Sequence, residues 1–470
     1  MRFPVAFRWI LPATALLAMA MRIPIQTPWI DEAAIVIYGA RAWGIPSQFP
    51  QTEVLYWLGS LFTYLFYEAL PGSMGARWFS WLGALFLLAM WELWGRQNNV
   101  LPTHRSILAA ALLLLPVMQF EGSNGRLDLW AIGWAFAAFT TYPTHSSPPR
   151  NRLLLTGVLA GISVAFWFTG LITLFLLPFL ALTSNRSLRQ NLTNWFREIP
   201  LLFLGFVLPF AVMALFRFDF MFKSLENLEY MIASRVEMGT AEISSGTFVH
   251  DPMLAPSMIT ASLLWLISWG SRRPGRPENR TPWFIEAGGV VGVLCLVVVS
   301  HLYHGRLVYW LPIPFAFVAL NLSATPQRIR NVLMIGLAVL GLGYSMAKMP
   351  ARAKRAFDPD NATVRLERRL KAWEVEAGDL IYCCGDFRLA CYFTPAPVQG
   401  FDGIFEITKL PSATHVFIDT LRCPAAPDPS TLQSLGFERW TPSSPEELAL
   451  LGGYPQTIPE VWIRKTFENR

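Results

Sequence analysis

The sequence predicts a polytopic α-helical membrane protein of about eleven transmembrane helices, with outer juxtamembrane helices and a small C-terminal α/β domain. Three observations predict it. The 470-residue chain is 53% hydrophobic and only 15% charged, against about 25% charged residues in soluble domains. Apolar runs of the length that crosses a bilayer, roughly 20 residues each, recur from the N-terminus to about residue 348. The basic residues then divide unevenly between alternate loops, as they do when a membrane fixes orientation.

The candidate spans lie near residues 7–23, 77–95, 106–120, 128–142, 153–168, 170–183, 201–217, 256–270, 281–300, 307–322 and 331–348. The first carries a basic start and ends near Ala18-Met19-Ala20, which also suits a cleavable signal peptide. A retained span fits the rest of the topology better. The segment 53–70, "EVLYWLGSLFTYLFYEAL", is apolar too, but has an acid near each end and three Tyr within it. Read as an interfacial helix, it makes 96–105, 143–152, 184–200, 271–280 and 323–330 inner loops. Those loops hold thirteen Arg, and the outer loops hold five Lys or Arg: Arg41, Arg126, Lys223, Arg235 and Arg306. Were 53–70 a span, the bias would invert. The N-terminus is therefore expected inside and the C-terminus outside, with long outer loops at 24–76 and 218–255.

After residue 348 the chain becomes charged and helical. It then offers strand-like runs at 379–384, 414–419 and 460–465, separated by Pro, Gly and Asp turns. Residues 1–348 are expected as the membrane domain and 349–470 as an outer-face soluble α/β domain. Four of the five cysteines fall in the latter, Cys383, Cys384, Cys391 and Cys423. In an oxidising compartment one of the adjacent pair could bond Cys391 or Cys423; free buried thiols are the other reading. The spacing lacks the CxxC and His pattern of a zinc site. The net charge of +6 follows from the loop arginines, and no basic-aromatic stripe suggests nucleic acid.

Ionisable residues at membrane depth are costly and often functional. Three groups share the expected outer face. Asp31 and Glu32 follow the first span and begin a helix bearing Tyr38 and Arg41; acids also favour a helix N-terminus for its dipole alone. Glu121, Arg126 and Asp128 fall within "FEGSNGRLDLWAIGW" (120–134), where Asp128 alone could be a helix cap. His301, His304 and Arg306 fall within "SHLYHGRLVYWLPIPF" (300–315), where the Arg fork suits phosphate better than the His pair suits a metal. Acids and cations at a lipid edge suit a base acting on an acceptor hydroxyl, with a cation holding an anionic head group.

Several stretches resemble the GT-C superfamily of membrane glycosyltransferases, which includes protein mannosyltransferases and bacterial aminoarabinose transferases. "TPWIDEAAIVIYGARAWG" (27–44) resembles the family's first outer loop, with its acidic pair. "VLYWLGSLFTYLF" (54–66) and "GARWFSWLGALFLL" (75–88) resemble its second juxtamembrane helix and next span. "GRLDLWAIGWAF" (125–136) resembles the segment with an acid at the start of the fourth span. "HGRLVYWLPIPF" (304–315) resembles a late motif. The resemblance covers about residues 7–345. It implies a GT-C-like fold and a bacterial inner-membrane glycosyltransferase. The donor would be a polyprenyl-phosphate-linked sugar, and transfer would occur on the outer face with inversion at the anomeric carbon. It implies Asp31 as catalytic base, Glu32 as its support and Asp128 as a second site acid. Arg126, Arg306, His304, Tyr38 and Glu121 are then the expected substrate-binding residues. The paired acids would also suit a divalent metal. Where relatives carry Lys-Pro-Pro before the "LYWL" helix, this chain reads Gln51-Thr52-Glu53. The phosphate-binding lysine is missing, so Arg126 or Arg306 would take its part. Two other readings remain: a transporter or flippase of lipid-linked sugars, which would place ionisable residues at mid-membrane, and a non-catalytic membrane assembly protein.

Overall fold

A computed structural model describes residues 5–25, 30–44, 53–70, 74–142, 148–171, 173–174, 177, 188–239, 263, 266, 311–322, 325–358, 364, 368, 371–375, 379, 381–384, 398–402, 410, 413–418, 428–445 and 460–464. His301, His304, Arg306, Cys391, Cys423 and the 281–300 run lie outside them. The described helices, in chain order, are α1 (Val5–Ala20), α2 (Ile30–Trp43), α3 (Trp57–Ala69), α4 (Met74–Gln97), α5 (Pro102–Leu114), α6 (Pro116–Glu121), α7 (Asp128–Thr141), α8 (Arg150–Phe166), α9 (Leu188–Phe216), α10 (Phe218–Gly239), α11 (Pro312–Asn321), α12 (Gln327–Ala356) and α13 (Pro429–Ser434). The chain forms two compact units: Met1–Arg22, Glu53–Gly59 and Arg77–Ala353 in one, Ile23–Thr52, Ser60–Ala76 and Lys354–Arg470 in the other.

In the first unit the expected run 106–120 is broken into α5 and α6. Leu115 is extended (φ −55°, ψ 137°) and Pro116 opens the second helix. Proline lacks the N–H that would continue the first helix, but is well suited to a first helical position. A polar network fixes this break. The Gln119 amide donates to the Leu113 carbonyl at 2.8 Å and to that of Ala15 on α1 at 3.1 Å. Arg352 on α12 donates to the Gln119 side-chain oxygen at 3.0 Å and to the Ala18 carbonyl at 3.2 Å.

Helix α4 packs its aromatic face on α7. Trp130 stacks on Phe79 at 4.9 Å and on Phe86 at 5.2 Å, and its indole donates to the Phe79 carbonyl at 2.7 Å. Helices α8 and α9 cross with backbone nearly in contact. A Cβ at Gly157 would overlap the Leu202 carbonyl, one at Gly161 that of Phe206, and one at Gly205 that of Leu154. Small residues four apart let membrane helices approach this closely. The bidentate pair of Arg105 with Glu92, at 2.7 and 2.8 Å, ties α5 to α4, and the Arg105 guanidinium also donates to the Val100 carbonyl at 2.6 Å.

Two helical stretches among the described residues, Arg8–Ile25 and Leu192–Phe216, are long and apolar enough to cross a membrane. Several helices on the expected spans are shorter: α5 has 13 residues, α7 has 14 and α8 has 17. Charges interrupt α4 at Arg77, Glu92 and Arg96. Large apolar side chains are nonetheless exposed along two helices. Phe203, Leu204, Val207, Leu208, Val212, Leu215 and Phe216 are exposed along α9, and Ile329, Val332, Ile335 and Val339 form a stripe on α12. Contiguous apolar surface of this size marks a membrane or partner interface. Helix α12 runs unbroken past residue 348 to Ala356, and α3 has only 13 residues, below spanning length.

In the second unit α2 packs closely on α3 and the start of α4. A Cβ at Gly39 would overlap the Ser60 carbonyl, and Val36 clusters with Ala76, Tyr64 and Tyr67. The three expected strands form as β1 (Ile381–Cys384), β3 (His415–Ile418) and β5 (Glu460–Arg464), joined by β2 (Val398–Asp402) and β4 (Phe437–Arg439). The sheet order is β2-β1-β3-β5-β4. Strand β1 pairs in parallel with β2 and β3, while β5 pairs antiparallel with β3 and β4. Tyr382, Val416, Ile418, Phe437 and Trp462 form its core with Leu410 and Leu432. Cys383 and Cys384 lie on β1.

Candidate active site

Glu121, Arg126 and Asp128 are brought together by the turn between α6 and α7. The local sequence makes this turn. Gly125 takes φ 80°, a left-handed conformation that costs glycine little. The Asn124 side chain accepts the Arg126 backbone N–H at 3.0 Å, as Asn does in a tight turn. The Ser80 hydroxyl on α4 lies 2.7 Å from the Glu121 carbonyl and 2.6 Å from that of Arg126, and clamps both ends of the turn.

The result is a buried charge cluster. Arg126 Nε is 3.2 Å from Glu121 Oε2 and 2.9 Å from Asp128 Oδ2, with the Arg side chain 2% exposed and both carboxylates 0%. Asp128 is not a cap. The N-cap is Leu127 and makes no side-chain cap bond, while Asp128 turns to the guanidinium. One cation thus faces two carboxylates away from water. Burial pushes the Glu121 carboxyl well above its usual range, Arg126 pulls it down, and neighbouring Asp128 pushes it up again. Burial and the neighbouring carboxylate together favour a proton on Glu121, since two adjacent buried carboxyls resist ionising together.

Two aromatic residues that the sequence reading passed over complete the surroundings. The Arg126 guanidinium lies 5.6 Å from the centre of the Trp167 ring. Tyr56 packs on Trp167 with centroids 4.6 Å apart. Trp167 sits at the end of α8, where the chain turns extended before a short 3-10 turn at Phe168–Gly170. Its signal in the sequence was weak, because a Trp at the end of an apolar run is also what a membrane interface selects, and the chain has 19 of them. Segment 53–59 is tied further by Asn227 on α10, whose amide donates to the Glu53 carbonyl at 2.7 Å.

Asp31, Glu32 and Tyr38 belong to the second unit, on α2. Glu32 is fully buried and Tyr38 is half-buried. Arg306 and His304 lie outside the described residues. Among the described residues no group of three or more His, Cys, Asp or Glu is placed to hold a metal ion. Between Glu121 and Asp128 the cation is Arg126.

No family model matches the chain, and no curated protein matches it by sequence. Solved structures do. ArnT from Cupriavidus metallidurans bound to undecaprenyl phosphate matches with a TM-score of 0.61 and 14% identity over 98% of each chain. The apo state of ArnT from the same organism matches with a TM-score of 0.57 and 12% identity, again over 98% of each chain. The arabinofuranosyltransferase AftD from mycobacteria matches with a TM-score of 0.52 and 12% identity, over 98% of this chain and 42% of that one. At such identities the likeness is one of fold: the chain shares the fold of ArnT and of AftD.

Proposed function

We propose that the protein is a membrane glycosyltransferase that moves a sugar from a polyprenyl-phosphate-linked donor to an acceptor hydroxyl on the outer face of the bacterial inner membrane. The observation that carries this reading is the end-to-end fold match to ArnT, whose structure holds undecaprenyl phosphate. The buried Glu121, Arg126 and Asp128 cluster supports it, since it stands where the motif resemblance expects a site acid.

In this reading Asp31 is the base. The acceptor oxygen attacks the anomeric carbon as its proton passes to the Asp31 carboxylate. The bond from that carbon to the phosphate oxygen breaks, and polyprenyl phosphate leaves with the bonding pair. The sugar inverts. Glu32 supports Asp31. Asp128 and Glu121, held by Arg126, contact the sugar; Tyr38, His304 and Arg306 complete the substrate contacts, with Arg306 meeting the phosphate. Residues 349–470 form the outer-face domain.

The test is turnover of radiolabelled polyprenyl-phosphate sugars by the purified chain in lipid nanodiscs, scored as sugar transferred or hydrolysed. Release of polyprenyl phosphate supports the reading. Translocation of the intact lipid without cleavage of the sugar bond would point to a flippase instead. Binding with neither outcome would fit an assembly role.

A further inference from the structure

The inference concerns Trp167, which no motif singles out. It is 3% exposed. Tyr56 packs on its ring and the Arg126 guanidinium lies over it. Among the described residues its indole N–H has no hydrogen-bond partner. Glu121 is fully buried, bound to the same guanidinium through Oε2 at 3.2 Å and hydrogen-bonded to Asp128 and Asn124, and among the described residues its Oε1 likewise has no assigned donor. Buried polar atoms are nearly always paired, and an orphan asks for an explanation. Here an unpaired donor and an unpaired carboxyl oxygen adjoin one cation. Trp57, Trp134 and Trp373 also have unpaired indoles among the described residues. Trp134 packs on Phe86 and Phe166, and Trp373 on Phe417 and Trp440, with no charged group among those rings.

We propose that the Trp167 indole N–H and the Glu121 carboxyl hold a hydroxyl group of the donor's sugar. A hydroxyl both gives and accepts a hydrogen bond, so it complements the indole donor and the carboxyl oxygen together. A phosphate oxygen only accepts. It would also meet Asp128 and Glu121 around a single Arg that both already engage. The indole N–H is a donor and nothing else, so Trp167 binds the sugar and takes no part in proton transfer. Its ring is held by Tyr56 and Arg126, which presents the N–H at low conformational cost. This inference rests on the proposed reading that the donor is a polyprenyl-phosphate sugar.

The experiment measures binding of two probes to the full chain in nanodiscs. One is undecaprenyl phosphate. The other is a panel of undecaprenyl-phosphate pentoses and hexoses, from which the wild type selects its donor. Trp167→Phe removes the N–H and keeps an aromatic ring. It should weaken the selected sugar lipid by about 10-fold, as loss of one buried hydrogen bond does, and leave undecaprenyl phosphate unchanged. 3-Benzothienylalanine at position 167 keeps the bicyclic ring, lacks only the N–H, and should do the same if the Phe variant folds poorly. Glu121→Ala should also weaken the sugar lipid selectively. Equal weakening of both probes would assign the N–H to the phosphate and overturn the inference. Unchanged affinity for both in a folded variant would overturn it while the proposed function stands. A wild type that binds neither lipid overturns the inference and the proposed function together.

Discussion

Replacing Arg126 with Met tests the charge balance of the cluster directly. Met matches the reach of the side chain and removes its charge. The wild-type guanidinium is 3.2 Å from Glu121 and 2.9 Å from Asp128, and all three side chains are at least 98% buried. Removing one partner of a buried ion pair costs about 3–5 kcal/mol, because the remaining charge has no solvent. Losing the cation over the Trp167 ring adds up to about 2 kcal/mol when desolvated. For a helical body of this size that amounts to a fall of roughly 6–10 °C in the apparent unfolding midpoint. The loss should depend on pH. Without Arg126 the Glu121 carboxyl loses the charge that draws it down and rises further above its unfolded value. A group raised on folding contributes stability at acid pH that is lost as pH climbs through its folded value. Glu121 already lies on that side through burial, and the substitution carries it further. Arg126→Met should therefore lie nearest to wild type at pH 4.5, short of it by the lost ring contact, and be most destabilised at pH 8. The triple variant Arg126→Met, Glu121→Gln, Asp128→Asn should recover much of the loss at pH 8. The assay is thermal unfolding in detergent across that range. A single Arg126→Met variant as stable as wild type at pH 8 would refute the charge argument.

Further expectations follow the same logic. Asp31→Asn should fold normally, keep donor binding and lose about 10²–10⁴ in turnover, the usual cost of a missing general base; wild-type turnover in a labelled-donor assay would remove Asp31 from that role. Gly157→Val should cost about 1–3 kcal/mol, since its side chain would enter the Leu202 carbonyl at the α8–α9 crossing; a neutral result in detergent unfolding would mean the helices can separate freely. His104, before the 106–120 run, is pushed down to about 4, first by burial and then by Arg330. It is neutral in the fold and charged in the unfolded chain between pH 4 and 6.5. Stability should thus fall by about 1 kcal/mol as pH drops through that window, the shift being reduced by solvent screening of the part-exposed ring, and His104→Phe should abolish that part of the acid sensitivity, read from midpoints at pH 4 and 6.5. A reporter fused after Arg276 should read cytoplasmic and one after Arg470 should read outside; a cytoplasmic C-terminus would contradict the arginine-derived topology.

Sequence alone determined the mostly helical character of this protein and the members of its charge cluster, for reasons that are local. Hydropathy over a helical length does not depend on what the helix packs against, so α1, α8, α9 and α12 fall where the apolar runs predicted them. Glu121, Arg126 and Asp128 lie within eight positions around Gly125, so a single tight turn suffices to gather them. Tertiary structure decided their state and their neighbours. Burial, supplied by α4 and α8, turns a surface-like trio into a desolvated ion cluster in which the Glu121 carboxyl is pushed up. The Arg that sequence offered to phosphate is drawn to two carboxylates, because in a dry site the nearest opposite charges are the strongest partners. Trp167 and Tyr56 join Arg126 from 41 and 70 residues away, and the periodicity of neither segment records which helix end it will meet. The break at Pro116 was visible as a proline but not as a corner, since what fixes it is Gln119 reaching Ala15 and Arg352 from other helices. Local pattern sets which segments are helices and which residues share a turn; only packing, which removes water and brings distant helix ends together, sets charge, protonation and the shape of a site.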